Sequence, residues 1–229
     1  MMRTFGNLLS AAVLLFAGAA HALDLGSLSN RDAAAGLKEA LTQGAGKAVG
    51  LLGKTDGFLG NPQVKIPLPE SLQQVDGLMR GLGMGKYADE LVTTMNRAAE
   101  AAVPEAKALL INAIKQMSVQ DAKAILSGGD DAATQYFRRT TTEPLGAKFK
   151  PIVQKAMSRV KLADKYDQFA GKAAKFGLVK EKDAHLENYV TEKALDGLYL
   201  MIAAEERAIR QDPVGAAGGM AKKVFGLLK

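Results

Sequence analysis

Leu195, Leu198, Ile202, Glu205 and Ile209 follow one another at alternating three- and four-residue spacing. On a helix that spacing is a single stripe, so Glu205 becomes a carboxylate on an otherwise apolar face. A buried acid can hold its proton above the ordinary range and act as a general acid, with Glu206, Asp196 or Glu100 as the second carboxylate. The plainer account is a structural ion pair with Arg97, Arg138 or Arg139; ligand anchoring is the third. Arg138 and Arg139 directly follow Tyr136 and Phe137. Paired guanidinium groups could grip a phosphate or carboxylate through their bidentate forks. The alternative is one solvated head and one stem packed over a ring. Glu205, Arg97, Arg138, Arg139 and Tyr136 are therefore the candidate ligand-binding residues.

Other chemistry is excluded or weakly signalled. The chain has no cysteine, so thiolate nucleophiles, zinc–cysteine sites and redox pairs are ruled out. Of its two histidines, His21 lies in the leader described below, and His185 sits near a helix start as a surface or capping residue. Neither a multi-histidine metal centre nor an ordinary catalytic triad is expected. Gly81, Gly83 and Gly85 lack the nucleotide-loop spacing and a preceding strand. Asp130-Asp131 lacks the ladder of a calcium loop and reads as a helix N-cap. No cofactor and no metal are expected.

The first residues carry an address. Arg3 precedes the apolar run Leu8 to Ala20, and Ala20-His21-Ala22 places small residues where signal peptidase requires them. The run is shorter than the roughly 20 residues that cross a bilayer. Residues 1–22 are thus expected to be a cleavable signal peptide, with export by the general secretion route and a periplasmic location. The total charge of +6 is spread along the chain without long blocks of one sign, which is an ordinary soluble balance. Aromatic residues make up 6% and tryptophan is absent, so a basic–aromatic surface for nucleic acid is not expected.

The elements that must position these side chains are helical. Apolar residues recur at three- and four-residue spacing through most of residues 23–229, and two-residue alternation is rare. Ser29-Asn30 should cap a helix that ends near Gly53. Val64, Ile66 and Leu68 alternate among Pro62, Pro67 and Pro69, which predicts an extended strap across a helical body. Further helices are expected over 71–82, with Leu72, Val75, Leu78 and Met79 inward, over 87–103, and from Pro104 to Met117. Ser118 and Asp121 resemble a capping box for a short helix stopped at Gly128-Gly129. Asp130 or Asp131 should cap the next helix, which Thr140 to Thr142, Pro144 and Pro151 should interrupt. A segment through Leu162, Tyr166, Phe169 and Ala173 should stop near Gly177, and the most regular helix should run from Leu186 to Gln211. Residues 212–229 hold a Gly/Ala patch, Gly215 to Gly219, and a short basic amphipathic helix. In that tail Lys222, Lys223, Phe225 and Lys229 are candidate membrane contacts, though packing back onto the body serves the same pattern. The expectation is an all-α chain: one irregular multi-helix bundle over 23–229 with one extended Pro-rich strap.

Five segments in order carry a resemblance: 61–69 (NPQVKIPLP), 96–100 (NRAAE), 131–137 (DAATQYF), 189–198 (YVTEKALDGL) and 222–226 (KKVFG). They resemble the bacterial family called domain of unknown function 4197. The resemblance spans essentially the whole chain after the leader. It implies an exported, largely helical protein of Gram-negative bacteria and no particular activity, substrate or ligand. At Gly215 to Gly219 this chain is smaller and less polar than the family pattern.

On this reading the expected function is non-enzymatic: binding of an apolar or amphipathic ligand, or of the envelope surface, with a lipid or envelope component as partner and no nucleic acid. A structural or protein-interaction module is the alternative, and a carboxylate-based hydrolase with two acids about 5 to 10 Å apart is the third.

Overall fold

The structure is a computed structural model that describes residues 29–83, 85–161, 163–164, 166–167, 185–212 and 224, the side chains of Val75 and Met79 excepted. The expected signal peptide, the Gly/Ala patch and the candidate contacts Lys222, Lys223, Phe225 and Lys229 lie outside these residues. So do Leu162, Phe169, Ala173 and the stop near Gly177.

Among the described residues the fold is all-helical with no strand: α1 (Asn30–Leu52), α2 (Glu70–Gly81), α3 (Gly85–Ala102), a 3-10 turn (Val103–Glu105), α4 (Ala106–Gln116), α5 (Val119–Leu126), α6 (Ala132–Met157) and α7 (Leu186–Gln211). The long helices α6 and α7 pack on each other most extensively. α1 and α3 each lie against α7, α4 and α5 close the body from α1 and α6, and among the described residues α2 rests chiefly on α3. Small residues set the spacing at α1, where Ala34, Gly36, Ala40, Gly44, Ala45 and Ala48 are all buried. A side chain at Gly44 would meet Ile209 and the Cβ of Glu205 at 3.4 and 3.5 Å, so α1 and α7 run close there.

Local signals placed several ends correctly. Ser29 caps α1 by accepting the Asp32 N–H. Ser118 and Asp121 form the reciprocal capping box of α5. Three expectations are corrected. The threonines and prolines do not interrupt α6, which runs unbroken through Pro144 and Pro151. Thr140, Thr141 and Thr142 turn their hydroxyls back onto the carbonyls of Tyr136, Phe137 and Arg138, so they sit in the helix with their polar groups bonded. Both prolines face solvent. The four-residue ladder Ala133, Phe137, Thr141, Leu145, Phe149, Val153 and Met157 is buried. That face outweighs the roughly 3 kcal/mol that an internal proline costs.

Second, Asp131 occupies the N-cap of α6 but makes no side-chain cap bond. The cap arrives from α7 instead. Third, Leu78 of α2 faces solvent rather than the interior, 67% exposed, on a helix whose main neighbour among the described elements is α3.

Candidate functional site

The carboxylate that enters the interior of α7 is Glu206, not Glu205. From Ile202 a helical stripe continues equally well at the third or the fourth residue, and here it takes the fourth, as Leu198, Ile202, Glu206 and Ile209 are buried. Glu206 accepts the Ala133 and Thr134 N–H groups, each at 2.9 Å, and the Thr134 hydroxyl at 2.8 Å. Arg210, one turn on, donates to the same carboxylate at 2.9 Å and to the Ile125 carbonyl at the end of α5. One side chain of α7 therefore supplies the missing cap of α6, and its counterion caps α5. Every lone pair is engaged in holding helices together.

Glu100 does the same for a loop. It accepts the N–H groups of Phe58 and Leu59 at 3.0 and 3.1 Å and the Arg97 guanidinium at 2.6 Å. Arg97 also reaches Asp56 at 2.8 Å, and Asp56 takes the left-handed backbone at φ 64°. The neighbouring turn needs Gly57, since a Cβ there would strike the Leu51 and Leu52 carbonyls. One turn earlier on α3, the buried Asn96 amide bonds both the N–H and the C=O of Ile66, each at 2.8 Å. It thus replaces the partner that the 61–69 segment would otherwise lack.

Glu205 is half-buried at the rim of α7 and pairs with Lys47 of α1 at 2.8 Å. None of the expected arginines reaches it. Arg138 lies 4.7 Å over the Tyr199 ring and 3.6 Å from Asp196. Arg139 lies 5.5 Å over Tyr136 and 3.5 Å from Asp121. Arg138 is the half-buried one, packed over a ring, and Arg139 the exposed one, as the alternative of one packed stem and one solvated head expected, although Arg139 also lies over a tyrosine. The Tyr136 hydroxyl donates to the Ala113 carbonyl at 2.8 Å. Burial chiefly pushes that phenol up, with the Asp121 charge adding and Arg139 opposing. The five candidates therefore do not converge. Glu205 faces α1, Arg97 holds the loop at Asp56, and Arg139 and Tyr136 face α4 and α5.

Of the five, Arg138 alone borders a large concavity, a groove of about 940 Å³. One wall is the segment 63–74 and the other is the outer face of α7. Within that segment Val64, Ile66 and Leu68 point into the core while Lys65 and Pro67 face outward. Gly197 permits the close approach, since a Cβ there would come within 2.7 Å of the Phe58 ring and 3.3 Å of Val64. The Tyr189 hydroxyl donates to the Pro67 carbonyl at 3.1 Å. Lys65, Arg138 and Lys193 bring three cations to the groove, and Glu70, Glu192 and Asp196 bring three acids; Leu200 adds an exposed apolar side chain. By contrast the space bounded by Leu37, Leu41, Ile125 and Ile209 beside Glu206 is about 10 Å³, room for one water at most. Sequence reasoning missed the groove because its walls come from four separate stretches of chain.

A family model described as "Protein of unknown function (DUF4197)" matches residues 27–226. No curated protein and no solved structure matches the chain.

Proposed function

We propose, on the premise that this chain belongs to the DUF4197 family, that it is an exported periplasmic protein whose work is to bind an amphipathic ligand in the groove between segment 63–74 and α7. The groove itself carries this reading. It has the volume of a small-molecule site, about 940 Å³, whereas the interior is close-packed. Its equal count of cations and acids, together with the exposed Pro67 and Leu200, suits a ligand with a polar part and an apolar part. Export is supported by the leader pattern of residues 1–22 and by a family match that begins just beyond it. The hydrolase reading is less well supported, because two of its four candidate acids, Glu100 and Glu206, are committed to backbone N–H groups and arginines.

Native mass spectrometry of protein purified from its own envelope tests the proposal. The expected result is a retained small-molecule mass that Leu200→Asp and Lys193→Glu reduce, both positions being at the groove and away from the core. Wild-type protein that carries and takes up no such molecule defeats it. A second reading, a protein-interaction module, is favoured by α2, where Leu78 and Leu82 are 67% and 68% exposed side by side. A retained protein mass abolished by Leu78→Glu would select that reading.

A further inference from the structure

Asp167 and His185 lie far apart in the chain, in no spacing typical of metal ligands. The fold brings them together at the start of α7. One donor atom from each of Asp167, His185 and Glu187 lies within 4.8 Å of the other two. His185 holds the N-cap position in extended backbone, φ −129° and ψ 125°, and makes no cap bond with its side chain. Asp167 accepts the Leu186 N–H at 2.9 Å through one oxygen, which fixes the carboxylate and leaves the other oxygen outside that bond.

A helix start explains acids at this place, because Asp167 bonds an unpaired N–H and Glu187 sits in the first turn. It does not explain an imidazole among them, since the positive end of a helix gains nothing from histidine. The two carboxylates also bring donor oxygens within 4.8 Å of each other. A divalent cation relieves the repulsion between them and uses the imidazole, whereas a simple cap does neither.

We infer that Asp167, His185 and Glu187 form a site for one divalent metal ion of the zinc type. One imidazole nitrogen and two carboxylate oxygens match the donor preference of zinc, whereas calcium and magnesium prefer oxygen alone. Three protein ligands leave a further position for water or an exogenous group. Tyr166, next to Asp167, lines the groove. The ion therefore ties the stretch that carries Tyr166, at the border of the groove, to the start of α7, although the site stands independently of what the groove holds.

Calorimetric titration of the full chain with zinc chloride, in a non-chelating buffer, tests this. The expected result is saturable uptake of one zinc per chain, weakened about tenfold or more by His185→Ala and by Asp167→Asn. Zinc should raise the thermal midpoint of the wild type and leave that of His185→Ala unmoved. His185 is exposed, so its replacement keeps the fold even if Asp167→Asn, which loses the cap, does not. Absence of saturable binding overturns the assignment. So does His185→Ala binding zinc as tightly as the wild type, or calcium binding as tightly as zinc.

Discussion

Glu205 and Glu206 are neighbours on α7 with opposite burdens. Glu205 meets Lys47, whose side chain is 62% exposed, so solvent screens the pair. Glu206 is 4% exposed, receives two backbone N–H groups and a hydroxyl, and balances Arg210, which is itself nearly buried. Glu206→Ala should therefore cost about 3–5 kcal/mol, since it strands a buried cation and two helix-start donors together. Glu206→Gln should help little, because its amide NH2 must face either those N–H donors or the guanidinium. Glu205→Ala should cost less than about 1 kcal/mol. Urea melts of the three variants check this, and a Glu205→Ala loss equal to that of Glu206→Ala would sink the assignment. The stripe in the sequence pointed to the right turn of α7 but could not choose between adjacent acids, since both fit helical spacing.

Helix ends show how far an element can be read from its own residues. Ser118 and Asp121 cap α5 within four residues of chain, and the pattern is visible in the sequence. The Asp121 carboxyl is held below its ordinary range by the Ser118 hydroxyl first and then by the Ser118 N–H. A depressed carboxylate contributes stability above its unfolded value near pH 4, and that contribution is lost as pH falls through the folded value. Ser118→Ala should thus cost about 1 kcal/mol at neutral pH. The deficit should shrink as the pH falls through the folded value, where the wild type loses the bond from the Ser118 hydroxyl to the carboxylate but keeps the Asp121 N–H bond to that hydroxyl; a deficit unchanged by acid would show that the Asp121 charge is not what matters. The cap of α6 could not be read this way. It comes from Glu206, 72 residues away from Thr134, and two aspartates beside the helix start offered a plausible local substitute. The persistence of α6 through two prolines was hidden for a similar reason, because local breakers were visible whereas the buried ladder that overrides them depends on tertiary packing.

At the scale of the whole molecule, the periodicity of apolar residues carried the all-helical class, and the groove escaped it. A concavity is set by which helices approach closely, here through Gly197 against Phe58, and no local pattern records that approach. The chain's far end poses the same question of local against tertiary signals. The Gly/Ala patch between Gly215 and Gly219 reads as a break that makes the tail separable. Val224, however, is buried to 3% exposure. Burying a valine contributes about 1.5–3 kcal/mol. At this chain length each kcal/mol moves the midpoint by about 2–4 °C. Truncation after Gln211 should therefore leave a cooperative melt whose midpoint falls by about 3–12 °C. Val224→Ser in the full chain should reproduce part of that fall. A midpoint unchanged in both would mean that the burial of Val224 adds no net stability, and the separable tail would then be the better description. Loss of a cooperative transition on truncation would instead make the last residues part of the body, beyond what a single valine accounts for.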